Sequence, residues 1–73
     1  MTTVIHSIKS VNYLQFLDSL ESIEKRIGQT SFIESKIELI QIQLDIFEDI
    51  DKMSYQEATD LLNKVKILNN NIR

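Results

Sequence analysis

IELIQIQLDIFEDI, residues 37–50, is the stretch that decides the fold of this 73-residue chain. From Ile40 to Ile46 it alternates apolar and polar residues, a pattern typical of a half-buried strand. A strand needs paired neighbours and turns that join them. The chain has one glycine, Gly28, and no proline, so nothing punctuates residues 31–53 as a hairpin would require. The length of the uninterrupted segment therefore favours a helix.

The helical interpretation also accounts for every apolar residue of the stretch 37–50. One series has spacings of four, three, four and three: Ile33, Ile37, Ile40, Leu44 and Phe47. A second has spacings of three, four, four and three: Leu39, Ile42, Ile46, Ile50 and Met53. At ~100° per residue the two series lie on roughly opposite sides of one helix, which we expect to be buried on both sides. The alternative is a strand over part of this region, supported by the β-propensity of Ile and Phe.

Helix starts are indicated by Ser or Asn followed three residues later by Glu or Gln, the spacing of a capping box. Pairs with this spacing stand where each of the three helices is predicted to begin: Asn12 with Gln15, Ser31 with Glu34, and Ser54 with Glu57. Gly28 stands where a C′ glycine would end the first helix. The sequence predicts an all-α fold, a three-helix hairpin or small bundle, with helices at about residues 12–27, 32–52 and 55–72. Helices 2 and 3 are either separate or one helix kinked at Ser54.

The chain is predicted to hold a single helical domain, residues 10–73, preceded by a loosely ordered segment, residues 1–9, that shows no helix signal. Helices 1 and 3 each have one apolar face. We expect Phe16 and Phe47 to lie in the core, because aromatic residues at helical spacing usually do.

Composition and charge exclude several classes of protein. The net charge is −3 and the eight basic residues are scattered, which argues against binding to nucleic acid phosphates. No apolar run approaches the ~20 residues that a bilayer span needs. The N-terminus lacks the basic and apolar regions of a signal peptide, so the expected location is the cytoplasm and no membrane partner is expected.

Residues that could carry chemistry are few. There is no cysteine, and the single histidine, His6, has no nucleophile at motif spacing. The densest group of acids is Asp45, Glu48, Asp49 and Asp51. It has neither the regular spacing nor the glycine of a calcium loop, so a solvated acidic patch is expected. The sequence therefore predicts no catalytic residue, metal, cofactor or small-molecule substrate, and a protein that is not an enzyme.

The function indicated is protein–protein interaction through an apolar helical face, as in an adaptor, inhibitor or regulatory subunit. Two helices can cover only part of helix 2, so its second face should meet a partner. The expected partners are a second copy, because two-fold homodimers are the commonest oligomers, and an unidentified protein. The alternative is a structural subunit of a larger hetero-complex, and an acidic helix-turn-helix protein is less favoured. The predicted partner-binding residues are Phe32, Leu39, Ile42, Ile46, Ile50 and Met53.

Overall fold

Three helices that all pack on one another make up the protein, as a computed structural model describes it for residues 10–72. They are α1 (Val11–Arg26), α2 (Phe32–Glu48) and α3 (Tyr55–Asn71). Residues 10–72 contain no strand, so the predicted all-α bundle is confirmed and the strand alternative for residues 37–50 is wrong. The prediction for residues 1–9 lies outside the described residues.

The second and third helices are separate. α2 ends at Glu48, four residues before the predicted boundary, and a single 3-10 turn follows at Ile50–Lys52. Met53 and Ser54 then have extended backbones, with φ and ψ of −129° and 159° for Met53 and −73° and 161° for Ser54. Extended residues at this point give α3 a start of its own, because an N-cap residue has non-helical dihedrals.

The first helix begins and ends by two local devices. Its N-cap is Ser10, whose Oγ accepts a hydrogen bond from the Tyr13 N–H at 3.1 Å. The predicted cap at Asn12 is therefore wrong, and the Asn12 amide instead donates to Asp49 Oδ2 at 3.0 Å. At the other end Gly28 has φ +91°, a left-handed value that favours glycine. This glycine follows the C-cap, Ile27, and so occupies the predicted C′ position.

The two predicted serine caps differ in completeness. Ser54 forms a full capping box, since its Oγ accepts from the Glu57 N–H at 3.0 Å and Glu57 Oε1 accepts from the Ser54 N–H at 3.1 Å. Ser31 Oγ accepts from the Glu34 N–H at 3.1 Å, but the Glu34 carboxylate bonds the Ser31 hydroxyl at 3.2 Å. Only the first half of the box is formed at Ser31, so its backbone N–H gains nothing from Glu34.

Polar pairs between helices show that the chain runs up, down and up. Each joins the first half of one helix to the C-terminal end of its antiparallel neighbour: Asn12 with Asp49, Glu38 with Arg26, and Lys36 with Asn69. α1 and α3 are therefore parallel to each other, and α2 is antiparallel to both.

A buried carboxylate, Glu57, connects the starts of the two parallel helices. Glu57 is only 8% exposed. Its Oε2 accepts from the Ser10 N–H at 2.9 Å and its Oε1 from the Ser10 hydroxyl at 3.2 Å, in addition to the bond from Ser54. The carboxylate lies at two helix N-termini at once, where the helix dipoles favour negative charge.

The core lies between the three helices. Its three largest fully buried side chains are Leu20 from α1, Ile46 from α2 and Leu61 from α3. Seven further buried apolar residues complete it: Tyr13, Ile23, Leu39, Ala58, Val65, Leu68 and Ile72. Phe16 is partly buried against this cluster.

The caps should differ measurably in their contribution to stability. Ser54→Ala should lower the free energy of unfolding by ~1–2 kcal/mol and Ser31→Ala by about 0.5–1 kcal/mol, because only the first breaks a complete, partly buried box. Glu57→Ala should lower the free energy of unfolding by more than either serine substitution, because it removes the acceptor for hydrogen-bond donors at two helix starts. Urea denaturation of the three variants measures the order. Equal costs for Ser31→Ala and Glu57→Ala would contradict it.

Candidate functional site

The structure reverses the expected roles of the two apolar faces of α2. The series predicted to meet a partner faces the core instead: Leu39 is 2% exposed and Ile46 is fully buried, while Ile42 and Met53 are partly buried against the same cluster. α1 and α3 both pack on this side. The expectation that this series forms the exposed face of helix 2 is therefore wrong.

The other series forms an apolar surface, called here the outer strip. Its five members are between 48% and 67% exposed: Ile33, Ile37, Ile40, Leu44 and Phe47. Phe47, at 48%, is not the core residue that was predicted. The strip follows one face of α2 from its first turn to its last, on the side away from the core.

The six predicted partner-binding residues are thus divided by the fold. Phe32 and Ile50 are 49% and 41% exposed and lie near the two ends of the outer strip. The Lys36 ammonium stands 5.5 Å from the centre of the Phe32 ring, a cation–π distance. Leu39 and Ile46 are inaccessible to a partner while the bundle is intact. The partner-binding role of the others stays a prediction.

The spacing of the outer strip is that of a coiled-coil seam. Steps of four and three residues place Ile37 and Leu44 at positions a, and Ile33, Ile40 and Phe47 at positions d. Such side chains fit as knobs into the holes of a facing helix. Helical periodicity in the sequence predicts this series, but it does not predict that the series faces away from the core.

A groove between α1 and α2 borders the strip on one side. It encloses about 550 Å³, and its lining includes polar and charged residues from both helices: Asp18, Ser22 and Arg26 of α1, and Glu38 and Gln41 of α2. Arg26 is already paired, because its guanidinium Nη2 lies 3.0 Å from Glu38 Oε1.

A second groove, between α2 and α3, borders the strip on the other side. It encloses about 490 Å³. Its lining includes the apolar residues Ile40, Phe47, Leu62 and Val65, the neutral Gln43 and one cation, Lys66. The outer strip is therefore a ridge between two grooves.

Comparisons of this chain with protein-family models, curated proteins and solved structures found no match. The candidate site consequently rests on geometry alone. Within residues 10–72 no helix is long and apolar enough to cross a bilayer. In the same part of the chain no three His, Cys, Asp or Glu residues are grouped as a metal ion would need.

The acidic residues at the end of α2 have a structural role in part. Asp49 accepts from the Asn12 amide in the first turn of α1, and its Oδ1 lies 3.6 Å from the Lys52 ammonium. A negative charge here interacts unfavourably with the C-terminal end of the α2 dipole. It interacts favourably with the N-terminal end of the α1 dipole, which is adjacent. The antiparallel arrangement therefore offsets a placement that is unfavourable within α2 alone.

A further polar cluster surrounds the Tyr13 hydroxyl, between α1 and α3. The Tyr13 hydroxyl donates to Asp60 Oδ2 at 2.5 Å. This bond, together with burial and the nearby charges of Asp60 and Glu57, raises the pKa of Tyr13 from 10.0 to about 12. The adjoining cavity is only about 180 Å³. Tyr13 stays neutral, and the Glu57 carboxylate accepts hydrogen bonds at two helix caps. Both side chains join α1 to α3, so the cluster stabilises the bundle.

The two faces of α2 can be compared by one matched pair of substitutions. Leu39→Ala should cost ~2–5 kcal/mol of unfolding free energy because it empties a core position. Leu44→Ala, five residues along the same helix and 54% exposed, should change it by less than about 1 kcal/mol. Chemical denaturation, at concentrations where the midpoint no longer depends on concentration, gives both values. Similar losses would mean that Leu44 belongs to the core.

The tyrosine bond should be visible in an alkaline titration. Because the folded pKa is raised, the stability from this bond is complete below pH 10.0 and is lost as the pH rises through about 12. Tyrosinate absorbance should show a step near pH 12 that Tyr13→Phe abolishes. A step that persists in Tyr13→Phe would refute the assignment.

Proposed function

We propose that this chain is a small non-enzymatic protein–protein interaction module that binds an apolar helix of another chain along the outer strip. An adaptor, an inhibitor and a regulatory subunit all work by such binding. The observation that carries the proposal is the outer strip itself, five large apolar side chains in a row, each about half exposed or more.

This surface is unusual for a chain that remains alone in water. Contiguous apolar patches beyond a few hundred Å² mark interaction sites on most soluble proteins. The core is complete without the strip, because α2 contributes Leu39 and Ile46 from its opposite face. Folding therefore does not require these five residues to be apolar, whereas binding does.

The spacing and the energy both suit a helical partner. Fully burying one such side chain is worth about 1.5–3 kcal/mol, so covering a half-exposed one gives roughly 1 kcal/mol. Five of them, with a similar number from the facing helix, give roughly 10 kcal/mol against an association cost of ~4–15 kcal/mol. Binding of moderate strength is the expected result.

The competing roles differ in what covers the strip. A structural subunit of a hetero-complex would keep it covered permanently, whereas an adaptor would exchange partners. A nucleic-acid-binding role has less support, because the strip is apolar and its α1 side is acidic. Nothing in the Tyr13 cluster or along the strip supplies an activated nucleophile or a general base for catalysis.

Site-specific photo-crosslinking tests the proposal. A photoreactive amino acid at Ile40, in the middle of the strip, should yield a defined protein adduct in extract of the native cell. The same group at Glu24, an exposed residue of α1 on the groove that faces α3, is the matched control. Adding Ile37→Gln and Leu44→Gln to the Ile40 variant should abolish the adduct without unfolding the chain.

The outcomes separate the alternatives. An adduct that survives purification in fixed stoichiometry favours a structural subunit, and one that exchanges favours an adaptor. Absence of any adduct at Ile40, or identical adducts at Ile40 and Glu24, would overturn the proposed function.

A further inference from the structure

We infer that the occupant of the outer strip is a second copy of this chain, with the two α2 helices parallel and related by a two-fold axis that runs along them. This inference rests on the proposed function, because it uses the same strip. It adds the identity of the partner and the direction of its helix, which the strip alone does not specify.

The two sides of the strip carry opposite charge. On the side of α1, the positions that flank the seam are Glu34, Gln41 and Glu48. Asp18 of α1 lies on the same side, where the cation Arg26 is already paired with Glu38. This acidic flank is thus left with an excess of negative charge.

The side of α3 is basic. The flanking positions of α2 here are Lys36 and Gln43, and α3 adds Lys66 along the groove. Lys36 donates to Asn69 at 2.5 Å, a neutral acceptor that leaves its charge uncompensated. Among residues 10–72, none of those that line the α2–α3 groove is a carboxylate. This basic flank is therefore the electrostatic complement of the acidic one.

The distribution of charge selects the direction of the second helix. In a parallel two-fold pair, the acidic flank of each copy faces the basic flank of the other. Lys36 then lies opposite Gln41 of the second copy, and Gln43 opposite Glu48. In an antiparallel pair each flank faces its own kind, which places Glu34 beside Glu48 and is repulsive. A second copy in parallel therefore satisfies both flanks with no other protein.

The shape of the surface is also compatible with self-association. A two-fold interface must be complementary to itself. The strip is a ridge bordered by two grooves of about 550 and 490 Å³. When the strips of two copies meet, the side chains that flank each strip can lie in the grooves beside the other strip. Gln41 and Gln43, at the centre of the seam, are uncharged: the Gln41 side-chain carbonyl can accept a hydrogen bond from Lys36 of the second copy, and the Gln43 amide can donate one to its Glu48.

Cysteine crosslinking tests both partner and direction, because the native chain has no cysteine. Single variants Ile33→Cys and Ile40→Cys occupy the first and the middle d positions. A parallel pair should oxidise to a disulfide dimer in both variants. In an antiparallel pair d positions pack against a positions, so neither variant should crosslink to itself, and Ile40→Cys should form a dimer only when it is mixed with Ile37→Cys or Leu44→Cys. That result would overturn the inferred direction.

Charge variants test the electrostatic argument independently. Lys66→Glu should weaken self-association about five- to ten-fold, because it places a carboxylate against the acidic flank of the second copy. Lys64→Glu changes the net charge equally but lies on the groove between α1 and α3, and it should leave self-association unchanged. Sedimentation equilibrium measures both. Equal effects would show that net charge, and not the flank, is responsible.

Failure of this inference can be distinguished from failure of the proposed function. A wild type that is monomeric in sedimentation, with no disulfide dimer in either cysteine variant, would exclude a second copy as the occupant. A strip-dependent adduct of Ile40 with a different protein would then leave the proposed function standing. Adducts in which the chain is joined to itself, abolished together with dimerisation by the two Gln substitutions, are the result we expect.

Discussion

The buried carboxylate of Glu57 holds together the two helices on which the rest of the structure depends. It accepts hydrogen bonds at the N-caps of both α1 and α3, through Ser10 and Ser54. The Tyr13–Asp60 bond connects the same two helices one turn further on. Because α1 and α3 are fixed side by side in this way, both pack on the same face of α2. They cannot also reach its opposite face.

That constraint separates the face of α2 that stabilises the fold from the face that we propose as the binding surface. A chain of this size has a small core, and without cysteine it cannot add a disulfide. α2 supplies Leu39 and Ile46 to the core on one side and leaves the outer strip on the other. Under the proposed function, one face of α2 serves folding and the other serves binding.

The charges around the strip follow from the same packing. α1 lies beside the acidic positions of α2, where Arg26 pairs with Glu38, and α3 lies beside Lys36, which binds Asn69. These contacts arrange the helices, and they also leave the strip with an acidic and a basic border. A surface with this asymmetry has a preferred direction for a partner helix, which an apolar seam by itself would not have. The direction that we propose for the second copy is therefore a consequence of how the bundle is assembled.

The sequence by itself determined the three helices, the caps at Ser31 and Ser54, the C′ role of Gly28 and the two apolar faces of α2. These are local properties, set by hydrogen bonds within a turn and by helical periodicity. Periodicity fixes the angle between the two series around the helix. It does not decide which series faces the core, because the spacing is the same in either case. Only the tertiary structure decided that Leu39 and Ile46 are buried and that Ile40 and Phe47 are exposed. That choice depends on contacts between residues distant in sequence, such as Asn12 with Asp49 and Ser10 with Glu57, which no local pattern encodes.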